Sequence, residues 1–106
     1  MWLITKHGFL SIKAHNQQPD MLVVRARIKG DICRHFPKAK VLLTPRNDYP
    51  RRAFLPKEVV GSRLHQLVTE IDYTSGFKDS VVDKRRLPHY LNVWSALAEM
   101  QDNLKA

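Results

Sequence analysis

The sequence predicts an α+β fold, a mainly antiparallel sheet packed against two or three helices. Three observations predict it. Polar and apolar residues alternate at period two through 9–15 and 21–28. Helical spacing takes over after Pro56 and again after Pro88. Turn-forming clusters separate the runs, at 16–20, 30–31 and 45–50. The coarse order is β-β-β-α-β-β-α-α in a single domain spanning 1–106. Its middle stretch, 21–72, matches most of a ferredoxin-like split βαβ unit, with the N-terminal hairpin placed to supply the missing strand.

Each element has its own signal. Trp2 to Thr5 is a short β-type run, and Lys6, His7 and Gly8 supply a turn. From Phe9 to His15, Leu10, Ile12 and Ala14 take one face while Phe9, Ser11, Lys13 and His15 take the other. Met21 to Ile28 is the clearest strand. Its Leu22, Val24, Ala26 and Ile28 oppose Val23, Arg25 and Arg27. Asp31 is placed to cap a short helix over Ile32 to Phe36, which Pro37 stops. Lys40 to Thr44 reads as a strand and Arg51 to Leu55 as its antiparallel partner.

Pro56 suits the first position of a helix that runs to Asp72 on Val59, Val60, Leu64, Leu67, Val68 and Ile71. Gly61 weakens that helix by about 1 kcal/mol relative to Ala, which points to close packing there. Tyr73 to Val82 is irregular. A final helix starts near Leu87 and runs to about Asn103, with Leu97 the centre of an expected buried face and Trp94 packed in the core.

Charge is distributed unevenly. Residues 1–57 hold twelve Lys+Arg and three Asp+Glu, a net of +9, while 58–106 net −1. A one-sided basic field faces an anionic partner, either nucleic acid or an acidic protein surface. No apolar run approaches a bilayer span, and the start lacks a secretory pattern, so a cytoplasmic protein without a membrane partner is expected. Cys33 is the single cysteine and can form no internal disulfide; beside Ile32 and Phe36 it reads as core-facing. The five histidines show no ligand spacing, and four scattered glycines form no phosphate loop or dinucleotide fingerprint, so no metal and no cofactor is expected.

The motifs Met1-Trp2, Gly8-Phe9-Leu10-Ser11-Ile12 and Val24-Arg25-Ala26-Arg27 occur in order along the chain. Ile71-Asp72-Tyr73, Phe77-Lys78 with Ser80-Val81, and Val93-Trp94-Ser95 follow. In these the chain resembles a family of small uncharacterised bacterial and phage-borne proteins. That resemblance carries no established activity. Thr74, Ser75 and Gly76 widen one segment relative to it.

Two groups of residues are candidates for function. Arg25, Arg27, Arg46, Arg51 and Arg52 form the first, because guanidinium forks grip phosphate or carboxylate in pairs of hydrogen bonds. Arg25 and Arg27 share one face of a strand; the same pair would also serve as an ordinary solvent face, or pair with Asp48 or Asp72. Stacking of RNA bases as in RRM domains is disfavoured, since Met21 to Ile28 carries no aromatic and the faces of Phe9 and Phe54 are open. Asp72, Tyr73, Lys78 and His89 form the second group, capable of acid–base chemistry, although the structural reading, in which they anchor a loop and bound the helices, is favoured.

The expectation is a non-enzymatic binding module, monomer or homodimer, whose basic half reads nucleic-acid phosphates. The alternatives are a phage or mobile-element protein that modulates a host complex, for example an anti-defence inhibitor, and a small hydrolase or nuclease.

Overall fold

A computed structural model describes residues 1–105. They form two compact units, one spanning 1–72 and the other beginning at Tyr73.

The first unit is built on a five-stranded antiparallel sheet: β1 (Trp2–Thr5), β2 (Gly8–Ala14), β3 (Met21–Ala26), β4 (Leu42–Leu43) and β5 (Arg51–Pro56). The spatial order is β1-β2-β3-β5-β4. Because β5 pairs antiparallel with both β3 and β4, those two run parallel with β5 between them. The connection from β3 to β4 passes through the short helix α1 (Asp31–His35), as in a split βαβ unit. The hairpin strand β2 lies on the free side of β3. This α+β arrangement is compatible with the ferredoxin-like expectation.

Period-two alternation decides which side chains meet. Leu10, Ile12, Val24, Ala26 and Ala53 face the side on which α1 and α2 (Lys57–Thr69) pack, and close a core with Ile32, Phe36 and Val60. Each fully buried Leu or Val contributes roughly 1.5–3 kcal/mol over leaving it exposed. The α2 stripe is only partly used: Val60 is buried, while Val59, Val68 and Ile71 are exposed. Gly61 is not a packing glycine, since a Cβ there would meet nothing within 4 Å. α2 ends at Thr69, short of Asp72, and Pro56 closes β5 and precedes the helix as its N-cap. The strand expected over Lys40 to Thr44 shortens to Leu42–Leu43.

A buried polar network ties the hairpin to α1. Gly30, not Asp31, is the N-cap of α1. The Asp31 carboxylate instead accepts the Phe9 backbone N–H (3.1 Å) and an Arg34 Nη1–H (3.0 Å). Lys6 and His7 both keep negative φ, so their two-residue loop is not the mirror-image turn that tight hairpins favour. Gly8 absorbs the mismatch at φ +152, and its missing side chain leaves room for the Asp31 carboxylate.

His35 sits fully buried beneath this hairpin. Its Nδ1 lies 2.7 Å from the Asp31 carbonyl oxygen, which can only accept, so Nδ1 carries the proton. Nε2 then accepts the Thr5 hydroxyl at 2.6 Å, and Thr5 Oγ1 in turn accepts the His7 N–H at 3.1 Å. Burial lowers the His35 pKa below its ordinary value, in keeping with a neutral ring. Cys33, expected to face the core, is exposed, because the α1 turn that buries Ile32 and His35 carries Cys33 outward.

The second unit holds two 3₁₀ turns, Phe77–Ser80 and Lys84–Arg86, and the long helix α3 (Leu87–Asn103). Tyr73, Phe77 and Tyr90 form a chain of rings with centroids 6.2 and 6.1 Å apart. The Arg85 guanidinium and backbone N–H hold the Asp83 carboxyl down to about 2. Pro88 lies in the first turn of α3, where its missing N–H costs nothing. The expected burial of Trp94 and Leu97 does not occur: they are 70% and 53% exposed, and no residue of α3 is buried. The α3 stripe is apolar, and Leu91, Val93, Trp94, Leu97 and Met100 along it are exposed.

Candidate nucleic-acid interface

The sheet face turned away from the core collects the arginines. Register places Trp2 opposite Ser11, Ser11 opposite Arg25, Arg25 opposite Arg52, and Arg52 opposite Leu42. These five side chains form one row across all five strands. A second row joins Lys13, Val23 and Phe54. Ile4 and Phe9 begin a third.

Arg25 lies at the centre of the first row. Its Nη2 donates to Ser11 Oγ at 2.7 Å, and its guanidinium carbon stands 4.6 Å from the centre of the Tyr49 ring. Arg27 approaches the same ring at 4.3 Å. Tyr49, buried at the end of the 45–49 loop, is thus held by two cations and leans on Phe9 with centroids 6.4 Å apart. Arg27 also donates to the Asp48 backbone oxygen at 2.8 Å. Its ion pair with the Asp48 carboxylate is long (4.0 Å) and exposed, and contributes little.

Arg25 and Arg52 are short of anions. Both Nε atoms are buried without a hydrogen-bond partner. Among the described residues no carboxylate pairs with either side chain. A buried donor without an acceptor costs roughly 1–3 kcal/mol, and like charges directly opposite on a sheet repel. A bound anion against these guanidinium groups would relieve the repulsion and reward the fork geometry.

Aromatic rings flank the arginines. Trp2 is 75% exposed and meets Phe9 edge-on at 6.1 Å. Phe54, on the interior strand β5, is 42% exposed and meets His15 edge-on at 5.3 Å. The face of Phe9 and Phe54, open in the sequence, is therefore the arginine face. From β1 to β5 the row spans three strand spacings, roughly 14 Å.

The five candidate arginines do not all converge. Arg25 and Arg52 are neighbours, and Arg27 joins Arg25 through Tyr49. Arg51 is in register with the buried Ala26 and so belongs to the opposite face. Arg46 is exposed in the 45–49 loop. Tyr49 and Trp2 were not legible as site residues. The single available signal was their position next to the basic runs.

The second candidate group is divided between the two units. Asp72 follows α2 in the first unit, whereas Tyr73, Lys78 and His89 belong to the second. Lys78 and His89 are exposed, and within the second unit, among the described residues, no hydrogen bond or ion pair joins Tyr73, Lys78 and His89 to one another. On the helix side of the sheet, Phe36, Pro37, Ala39, Leu55 and Val59 line an apolar groove of about 640 Å³. Arg63 borders it, donating from Nε to the His35 carbonyl at 2.6 Å.

Among the described residues no group of three or more His, Cys, Asp or Glu could hold a metal ion, and no helix is long and apolar enough to cross a membrane. Comparison with protein-family models, curated proteins and solved structures finds no match to this chain. Function rests on the chemistry of the face itself.

Proposed function

We propose that this protein binds single-stranded nucleic acid on the arginine face of its sheet. Phosphates lie against Arg25, Arg27 and Arg52, and bases stack on Trp2 and Phe54. The observation that carries this reading is the Arg25–Arg52 pair, two cations without a carboxylate in a row that ends on an exposed indole. Basic charge with exposed rings favours single strands, because every base offers a π-face that a duplex hides. Sequence preference is weak, since phosphate contacts carry no base information. The charge of the first unit supports the reading as well: 1–72 holds thirteen Lys+Arg against six Asp+Glu.

Anisotropy of labelled single- and double-stranded DNA and RNA at two salt concentrations tests it. Single strands bind more tightly, and affinity falls steeply with salt. Arg52→Ala reduces the salt slope by about 0.7 for single strands, whereas Arg51→Ala, on the opposite face, changes it less. Phe54→Ala and Trp2→Ala each cost about 1–3 kcal/mol per stacked base. Equal effects of Arg51→Ala and Arg52→Ala would show a diffuse charge field rather than a site. Absence of binding at low salt overturns the reading and leaves the face to an acidic protein surface.

A further inference from the structure

We infer that the Arg25–Arg52 pair is a seat for the terminal phosphate of a nucleic-acid strand, a monoester, in preference to a phosphodiester inside the chain. The assignment rests on the nucleic-acid reading of this face and specifies which phosphate the face takes.

Local charge is the first reason. Arg25 and Arg52 stand directly opposite each other in register. Arg27 joins Arg25 through the Tyr49 ring, which both guanidinium groups approach within 4.6 Å. Among the described residues the one ion pair these three cations make is the long contact of Arg27 with Asp48. Two positive charges are left in excess. A phosphate monoester brings a charge of about −1.5 to −2 at neutral pH and three free oxygens. A phosphodiester inside a strand brings a single charge and two free oxygens. Three oxygens serve two guanidinium forks, with one oxygen shared between them, whereas two oxygens serve one fork.

The state of the two side chains is the second reason. Arg25 is held in place: its Nη2 donates to Ser11 Oγ at 2.7 Å, and the Tyr49 ring packs beside it. Arg52 is half-buried, and among the described residues no acceptor or carboxylate engages its guanidinium. A half-buried cation set opposite a like charge is costly for folding alone. A dianion on the Nη edges of both groups offsets that cost.

The flanks of the pair are unlike, as the surroundings of a strand end are. Phe54 lies two residues from Arg52 along β5, on the same face and in register with Val23. That separation is roughly 7 Å, about the reach from a phosphate to the base of its own nucleotide. In the other direction along the strands stand Arg27 and the exposed Asp48 carboxylate. A strand continuing that way would bring its next phosphate against Asp48, like charge on like charge. One flank thus offers a ring to a base, and the other a carboxylate that stops the backbone.

Anisotropy of one short single-stranded sequence with an internal label tests the assignment. The strand carries a 5′-phosphate, a 3′-phosphate, or hydroxyls at both ends. Binding is measured at low salt and about pH 8, where the monoester is a dianion. A phosphorylated end should tighten binding by about 10-fold or more, through charge-assisted hydrogen bonds that an internal phosphate does not complete. The arm that shows the gain, 5′ or 3′, gives the polarity of the bound strand. Arg52→Ala weakens the hydroxyl-ended strand modestly and the phosphorylated strand much more, so their ratio falls toward one. Arg52→Lys keeps the charge but loses the fork, and most of the ratio goes with it. Urea denaturation checks that both variants fold. Equal binding of all three strands overturns the assignment and leaves the nucleic-acid reading standing. Absence of binding by every strand overturns both. An end preference undiminished in Arg52→Ala overturns the placement at this pair.

Discussion

Replacing Gly8 with alanine tests the joint between the hairpin and α1. A Cβ at Gly8 would lie 2.5, 2.6 and 2.7 Å from the three carboxylate atoms of Asp31. The carboxylate has nowhere to go. It is fully buried, and it is held by the Phe9 N–H and by Arg34. Two costs combine. The backbone at φ +152 disfavours any L side chain, by about 1–3 kcal/mol. Displacing the carboxylate weakens hydrogen bonds to a charged group, worth about 1.5–3 kcal/mol. Gly8→Ala should therefore destabilise by about 3–5 kcal/mol, a large share of the 5–15 kcal/mol typical of a small domain. Urea denaturation followed by circular dichroism measures it. The double variant Gly8→Ala with Asp31→Ala, free of the clash, should be less destabilised than the sum of the singles by about 0.5–3 kcal/mol. A single variant within about 1 kcal/mol of the parent protein would refute the geometry, as would strict additivity.

The remaining predictions concern α2 and the buried histidine. Gly61→Ala should stabilise the protein by about 0.5–1 kcal/mol in the same assay, because the position is helical, exposed and open to a Cβ; a loss of stability would mean that Gly61 serves a contact. His35 has a folded pKa below its ordinary 6.5, because burial penalises the charged ring. On acidification the unfolded chain therefore takes up its proton first, so stability is full above about pH 6.5 and declines as the pH falls through the folded value. The decline should be shallower in His35→Gln, and identical pH profiles for the two proteins would refute a neutral buried ring.

Much of the architecture was legible from short-range pattern. Alternation at 9–15 correctly assigned Leu10 and Ile12 to the core and Phe9, Ser11 and Lys13 to the other face. Helix α3 was bounded at Leu87 and Asn103 because Pro88 and the apolar spacing act locally. Where the reading failed, distance in sequence was the cause. Asp31 looked like a helix cap because its local partners are helix N–H groups; its carboxylate accepts instead the Phe9 N–H, 22 residues away. Gly61 looked like a packing glycine because composition cannot report empty space.

The sequence by itself determined the α+β class, the order of elements, the faces of the strands and the placement of basic charge in the first unit. These follow from backbone periodicity and from covalent order. The tertiary structure decided which arginines meet, since Arg51 and Arg52 are adjacent in the chain but only Arg52 stands in register with Arg25. It also decided the fate of α3. An apolar stripe is written in local spacing, whereas Trp94 and Leu97 are exposed, and exposure is a tertiary property that no local pattern encodes.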